Sequence, residues 1–325
     1  MKMETTESST HCDLCGDSNW HVISQLDRHG HPLTTGLCAR CGVVAHLPLP
    51  DEATIARYYA EEYRSDYHGE VVPAARRVMR AWNNGQRIHQ MLAPFLPSQG
   101  SVFEVGAGLG CTVKAFAHHG FRARGIEPNR DFNRYSRQQL RADVANRNLY
   151  DLTDPVRHDL ALLVHVIEHF RSPRSALMKL RELIVDDGLL YIECPNLAAP
   201  FATFERMFHF AHIYNFTPTT LRELAASCGF DLVAQLHDAA HPDIALLLRK
   251  GELPDTTEVD EAEPARVRHA IHRYSTLSYH LRGNYLQRRL TKLVNYGRER
   301  LCARAFVQNL MLRCANDPLP EQPPS

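Results

Sequence analysis

The stretch SVFEVGAGLGC (101–111) decides the fold. SVFEV reads as a short buried strand, and Gly106, Gly108 and Gly110 mark a turn into a helix over 109–119 that Gly120 closes. Glycines let a backbone pass close to a ligand, and the start of a helix offers free N–H groups. A dinucleotide turn of the form G-x-G-x-x-G would need glycine at position 111, which is Cys111. Here an acid, Glu104, stands on the strand just before the turn.

Downstream, strand and helix alternate. FRARGIE (121–127) is the second strand, 129–140 the second helix, and DVANRN (143–148) a candidate third strand. DLALLVH (159–165) is the fourth, with the near-continuous apolar character of a strand covered on both faces. A helix over 173–185 leads to the fifth strand, LLYIECP (189–195). An insertion rich in Phe and His follows over 196–216, then a helix over 217–228 ended by Gly229. FDLVAQLHD and IALLLRK give two last strands with no helix between them, so antiparallel pairing is expected. Such alternation means a doubly wound α/β sheet. Glu127 ends the second strand seventeen residues after Gly110, where a carboxylate can accept hydrogen bonds from both hydroxyls of a ribose. The plainer alternative for Glu127 is a solvated strand end.

The E-x-G-x-G-x-G turn does not stand alone. LLVHVIEHF (162–170) followed by Pro173 is similar to an "hvlEHl.dP" segment, and Asp186-Asp187-Gly188 stands where an "L.pgG.l" turn precedes the fifth strand. His212-Ile-Tyr-Asn-Phe216-Thr-Pro218, Leu221 and Cys228-Gly229-Phe230 match an "H..yFtp..L..ll..aGF" ending. Over about residues 100–250 the chain thus resembles the class I S-adenosylmethionine-dependent methyltransferases. The resemblance implies a seven-stranded Rossmann-like sheet, with Glu104 at the methionine end of the cofactor and Gly106, Gly108 and Gly110 along its adenosyl part. It also implies Glu127 at the ribose and Asn148 and Leu149 at the adenine edge and face. His165 closes strand four at its carboxyl end, where open α/β sheets bind ligands. It reads as a cofactor or acceptor contact or a proton acceptor, against a histidine that merely closes the strand. Glu168 reads as orienting the turn, and His169 as a further candidate base.

A separate signal lies near the start. Cys12-x2-Cys15 and, after twenty-two residues, Cys38-x2-Cys41 have the spacing of a tetrahedral four-cysteine zinc site. No open coordination position is suggested, so the zinc is expected to be structural. This segment and the following "YY...Y" also resemble the zinc-binding module found ahead of sugar methyltransferases. Tyr59 and Tyr63, with Tyr58, can share a helix face over 51–69 and are candidate substrate-side residues, against a packing stripe. His209 and His212, in the insertion, are candidate substrate-side residues too, with His212 a candidate base; the alternative is an aromatic lid packed to exclude water.

Composition bounds the rest. Lys+Arg and Asp+Glu both number 37, so a zero formal charge argues against a whole-molecule polyanion binder. No apolar run is long enough for a transmembrane helix, and the polar opening MKMETTESST lacks a secretory signal, so a cytoplasmic protein is expected. Residues 251–263 hold six acids and no base, whereas 264–315 hold eleven Lys/Arg and one acid, Glu299. The basic block reads as an amphipathic helical pair broken at Gly283 and Gly297 and packed on the sheet domain, with peripheral membrane contact as the other reading. The expected division is a zinc ribbon at 1–50, a helical cap at 51–100, the cofactor-binding domain at 101–250 and an acidic linker with a basic helical extension at 251–325.

The expected function is methyl transfer from S-adenosylmethionine to a small molecule or glycan, through oxygen on a sugar, polysaccharide or secondary-metabolite acceptor. A nucleic-acid methyltransferase is the rival of the same chemistry. It lacks an N/D-P-P-Y motif and a Pro-Cys nucleophile, since Cys194-Pro195 has the reverse order. A non-catalytic zinc-ribbon adaptor that binds the cofactor is the rival of another class.

Overall fold

The computed structural model describes residues 10–58, 73–153, 156–199, 202–273, 276–281 and 283–318. Tyr59 and Tyr63 lie outside the described residues. The centre of the molecule is a seven-stranded sheet in the order β10-β11-β8-β7-β4-β5-β6. Its strands are β4 (Ser101–Val105), β5 (Arg122–Ile126), β6 (Val144–Ala145), β7 (His158–Val164), β8 (Ile184–Pro195), β10 (Phe230–Gln235) and β11 (Asp243–Lys250). From β8 to β6 the neighbours run parallel, while β11 pairs antiparallel with both β8 and β10. The α/β class, the doubly wound order and the antiparallel last pair are as the sequence pattern predicts. The third strand shrinks to the two residues Val144–Ala145.

Successive residues of a strand face opposite sides. Phe103 and Val105, Leu163, and Ile192 enter one core together with α5 (Pro173–Leu183) and α6 (Pro218–Ser227). Val102, Leu162 and Tyr191 enter the other, with α2 (Ala75–Leu92), α3 (Cys111–His118) and the inner face of α9 (Gly283–Cys314). Gly297 does not break α9. Packing on either side of it, through Tyr296 beneath the Arg76 guanidinium and Glu299 against Arg76 and Arg80, with Leu310 and Cys314 in the core, outweighs one glycine's roughly 1 kcal/mol cost in a helix interior.

The four cysteines belong to a module with a small second sheet, β1 (Trp20–Leu26), β2 (Pro32–Cys38), β3 (Val44–His46) and β9 (Tyr214–Asn215); Cys38 ends β2, while Cys12, Cys15 and Cys41 lie outside the strands. Both Cys-x2-Cys turns end in a glycine of left-handed backbone, Gly16 at φ 75° and Gly42 at φ 78°. The fourth strand comes from the 196–216 insertion: Val44 pairs with Asn215 and Ala45 with Tyr214. The end of the insertion is therefore stitched to the cysteine module. Asp13, inside the first Cys-x2-Cys turn, fastens the module at a second place: its carboxylate accepts from the Ser172 hydroxyl (2.9 Å) and the Arg174 amide (2.7 Å) at the start of α5.

Candidate active site

The turn after β4 packs three glycines into three different settings. Gly106 has φ 71°, and a Cβ there would come 2.6 Å from Val166 Cγ2. Gly110 has φ 73° and opens α3, with a Cβ position 2.7 Å from Ser136 Cβ. Gly108, at φ 52°, faces open space, with no atom within 4 Å of its Cβ position. Two of the glycines therefore permit close packing within the protein, and Gly108 turns its bare face outward.

Two buried acids frame that space. Glu104 is only 3% exposed; burial pushes its carboxyl up to about 8, offset in part by the Thr112 hydroxyl and the Val113 amide and reinforced by the Glu127 charge. Its Oε2 is buried without a hydrogen-bond partner among the described residues. Such an atom costs of the order of 1–3 kcal/mol unless a ligand or water supplies a donor. Glu127 follows β5, where its Oε2 accepts from the Gly108 amide (2.8 Å) and its Oε1 from the Asn129 amide (2.8 Å). Burial raises its pKa and these two amides lower it. A carboxylate has about four acceptor sites, so two remain for a diol. Asn148 and Leu149 lie in the turn after β6: Asn148 is exposed, while the Leu149 side chain is buried in the core beside Val105 and Ile126. Asn146, which sequence reasoning passed over, ties that segment to the cradle by donating to the Glu127 and Pro128 carbonyls, at 2.9 Å each.

The structure brings three histidines proposed separately from the sequence onto one carboxylate. Glu168 Oε1 lies 3.7 Å from His165 Nδ1, 3.9 Å from His169 Nε2 and 3.9 Å from His212 Nε2. His169 is oriented by donating its Nδ1–H to the Ala211 carbonyl at 2.6 Å. The His209 ring packs tilted against His212, with ring centroids 3.9 Å apart and planes at 48°, and His209 accepts through its carbonyl from His46 Nε2–H at 3.2 Å. Burial, with the Arg28 charge next, takes His209 down to about 3; burial and the facing His169 and His209 hold His212 well below its ordinary value. Both are neutral at pH 7. His165 differs. Burial lowers its pKa, but Glu168, Asp243 and Glu193 outweigh it and raise it to about 9. It adopts φ 53°, a left-handed conformation that costs a non-glycine residue about 1–2 kcal/mol.

His165 also opens onto a cavity of about 350 Å³ lined by Asn84, Arg87, His165, Glu193, His237, His241 and Asp243. The Arg87 guanidinium reaches both oxygens of Glu193 at 2.7 Å, and the Tyr191 hydroxyl donates to the same carboxylate. Against its burial, these partners hold Glu193 below the ordinary carboxylate range. Arg87 Nη1 lies 3.4 Å from His237 Nε2, and the Asp243 amide donates to His241 Nδ1 at 3.0 Å. His209 and His212 are not among the lining residues. Glu193 carries a signal in the sequence, an acid inside an apolar strand; Arg87, on a helix with many polar positions, carries none. A second cavity, of about 260 Å³ around Gly100, Ser101, Asp159 and Gly188, lies at the amino ends of β4 and β7, the edge where open α/β sheets do not bind ligands.

At the cysteine module, the Sγ atoms of Cys12 and Cys41 lie 3.5 Å apart, as do those of Cys15 and Cys38, and all four fall within 4.8 Å of one another. Four thiolates about 2.3 Å from a tetrahedral zinc would sit about 3.8 Å apart. The donor set and its spacing fit that ion.

Residues 75–235 match the family model of a methyltransferase domain. Among curated proteins no sequence matches the chain. Of solved structures, the chain is similar to the 1,6-didemethyltoxoflavin-N1-methyltransferase of Burkholderia thailandensis with bound 1,6-didemethyltoxoflavin and S-adenosylhomocysteine. That likeness has 19% identity and a TM-score of 0.49, over 72% of this chain and 100% of that one. It is similar also to the magnesium protoporphyrin IX methyltransferase of Synechocystis with bound S-adenosylhomocysteine, at 14% identity and a TM-score of 0.46, over 62% of this chain and 100% of that one. With the strand order, the family match defines the class: the chain carries a methyltransferase domain on a seven-stranded Rossmann-like sheet, and the protein is a methyltransferase. The matched region begins at Ala75, so it includes α2 and the cavity residues Asn84 and Arg87.

Proposed function

We propose that this enzyme transfers a methyl group from S-adenosylmethionine to a hydroxyl oxygen of a polar small molecule or glycan. One observation carries the acceptor class: every residue lining the 350 Å³ cavity beside His165 is polar or charged. A planar aromatic acceptor would want apolar walls, whereas a sugar offers many hydroxyls to donors and acceptors of this kind.

The orphaned Glu104 Oε2 suits the methionine ammonium, the free acceptor sites of Glu127 suit the ribose diol, and the bare face of Gly108 leaves room between them. S-adenosylmethionine, when bound, supplies an electrophilic methyl group on sulfur. The chain then has to hold the acceptor hydroxyl in line, exclude water and take up one proton. His165 is the acceptor-side base in this reading, since it faces the cavity and the strand end at once. Glu168 acts through charge in this reading: its buried carboxylate lies within 4 Å of the imidazoles of His165, His169 and His212, without a hydrogen bond to any of them among the described residues. His212, neutral and next to the same carboxylate, is the alternative base.

Cys12, Cys15, Cys38 and Cys41 hold a structural zinc in this reading. The ion would cross-link the two glycine-ended turns and so brace β3, on which the end of the insertion is paired. Incubation with deuterated-methyl cofactor and a panel of sugars, sugar nucleotides and glycans, followed by mass spectrometry, tests the function. Label on a hydroxyl oxygen supports it; label found only in RNA or only on nitrogen overturns the acceptor class.

A further inference from the structure

The outward face of α9 carries a surface that methyl transfer does not use. At 100° per residue, Ala303, Leu310 and Cys314 fall on the face that packs inward, as does Glu299 in its pairing with Arg76 and Arg80. Leu290, Val294, Leu301 and Leu312 fall on the opposite face, where they are 63%, 70%, 84% and 68% exposed. Arg300 and Arg304 border this stripe on one side and Arg298 on the other, all exposed. The helix has 32 residues, hence a length of about 48 Å, with seven Lys/Arg and a single acid that is turned inward.

Four large aliphatic side chains spaced along one solvent-facing side of a helix are unusual, since helices bury such residues against a partner. The charge around the stripe says which partner. The α9 of a second copy would bring its own cations against these with no outward acid on either helix, whereas anionic lipid supplies the missing countercharge. We propose that α9 docks the enzyme on an anionic membrane surface. Its Leu/Val stripe enters the boundary between headgroups and acyl chains, while Arg298, Arg300 and Arg304 pair with lipid phosphates. The helix lies in the plane of the interface; among the described residues no helix is long and apolar enough to cross a membrane.

Cosedimentation of the full chain with vesicles tests this. Binding is expected to vesicles of phosphatidylglycerol mixed with phosphatidylcholine but not to phosphatidylcholine alone, and to weaken as salt rises. Leu290→Asp with Leu301→Asp should lower the partition by about tenfold or more. Arg298→Glu, Arg300→Glu and Arg304→Glu together should lower it by roughly a hundredfold. Cofactor affinity unchanged in both variants reports that the fold is intact. Absence of binding to the anionic vesicles, or equal binding by wild type and both variants, overturns the proposal. So does a dimer in light scattering that Leu301→Asp converts to monomer, because the stripe would then belong to a second copy.

Discussion

The proposed cofactor cradle and the proposed acceptor cavity lie side by side along the carboxyl edge of one sheet, yet they are held together differently. The cradle comes from one run of chain, Glu104 to Leu149, and its acids answer to non-titrating donors: the Gly108 and Asn129 amides on Glu127, and the Thr112 hydroxyl and Val113 amide beside Glu104. The cavity draws on α2, the end of β7, β8 and the β10–β11 connection, and its charges answer to one another: Arg87 on Glu193, His165 between Glu168 and Glu193. Backbone amides do not titrate and do not move without the strand they belong to. Side-chain pairs do both. The cradle should therefore fail through lost binding or lost folding, and the cavity through altered pH dependence and turnover.

The strongest test of that contrast is removal of zinc. Metal analysis should return one zinc per chain, lost in Cys15→Ser. A structural zinc site contributes about 10 kcal/mol or more of folding free energy to its module. Chelation is expected to unfold the module and release the β3–β9 pairing, abolishing turnover while cofactor binding persists. Cofactor binding lost in step with zinc, followed by calorimetry, would show that the two halves are not separable.

His165→Ala should lower turnover by about 10²–10⁴-fold with little change in cofactor affinity. The pH profile separates the two candidate bases. A base must be neutral to accept a proton, and His165 is held at about 9, so turnover through His165 should rise with pH until about pH 9. His212 is held well below its ordinary value, so turnover through it should stay flat from pH 7 upward and fall only in acid.

Within the cradle, the two glycines should part company. Gly110→Val pushes a side chain against Ser136 and strains a left-handed backbone, so roughly 2–4 kcal/mol of stability should be lost by thermal denaturation. Gly108→Val strains a left-handed backbone too, but its Cβ meets no protein atom within 4 Å, so it should lose less stability than Gly110→Val and, in addition, cofactor affinity by about tenfold or more. Equal stability losses in the two variants would remove Gly108 from the cofactor's path. The smallest effect is expected from Glu127→Ala, about 1.5–3 kcal/mol of cofactor affinity, the range for hydrogen bonds to a charged group. Its amide partners make a parallel loss of stability part of the expected outcome, and an affinity left at the wild-type value would sink the ribose role.

What the sequence determined by itself is what depends on spacing along the chain. The strand–glycine turn–helix at 101–119, the acid at Glu127 and the two Cys-x2-Cys turns are short-range patterns, and each is found where its pattern places it. The alternation of apolar strands with amphipathic helices likewise fixed the sheet, because side-chain period follows backbone geometry. What only the tertiary structure decided is which distant residues meet. Nothing local marks Arg87 as the partner of Glu193, 106 positions away, or shows His169 and His212 sharing Glu168 with His165. Nor does any short pattern show that Tyr214 and Asn215 complete the sheet of the cysteine module rather than hang free above the sheet edge. Those contacts arise because parallel strands return every carboxyl end to one edge, so residues far apart in the chain converge there, and the electrostatics of the acceptor half exists only after the chain has folded.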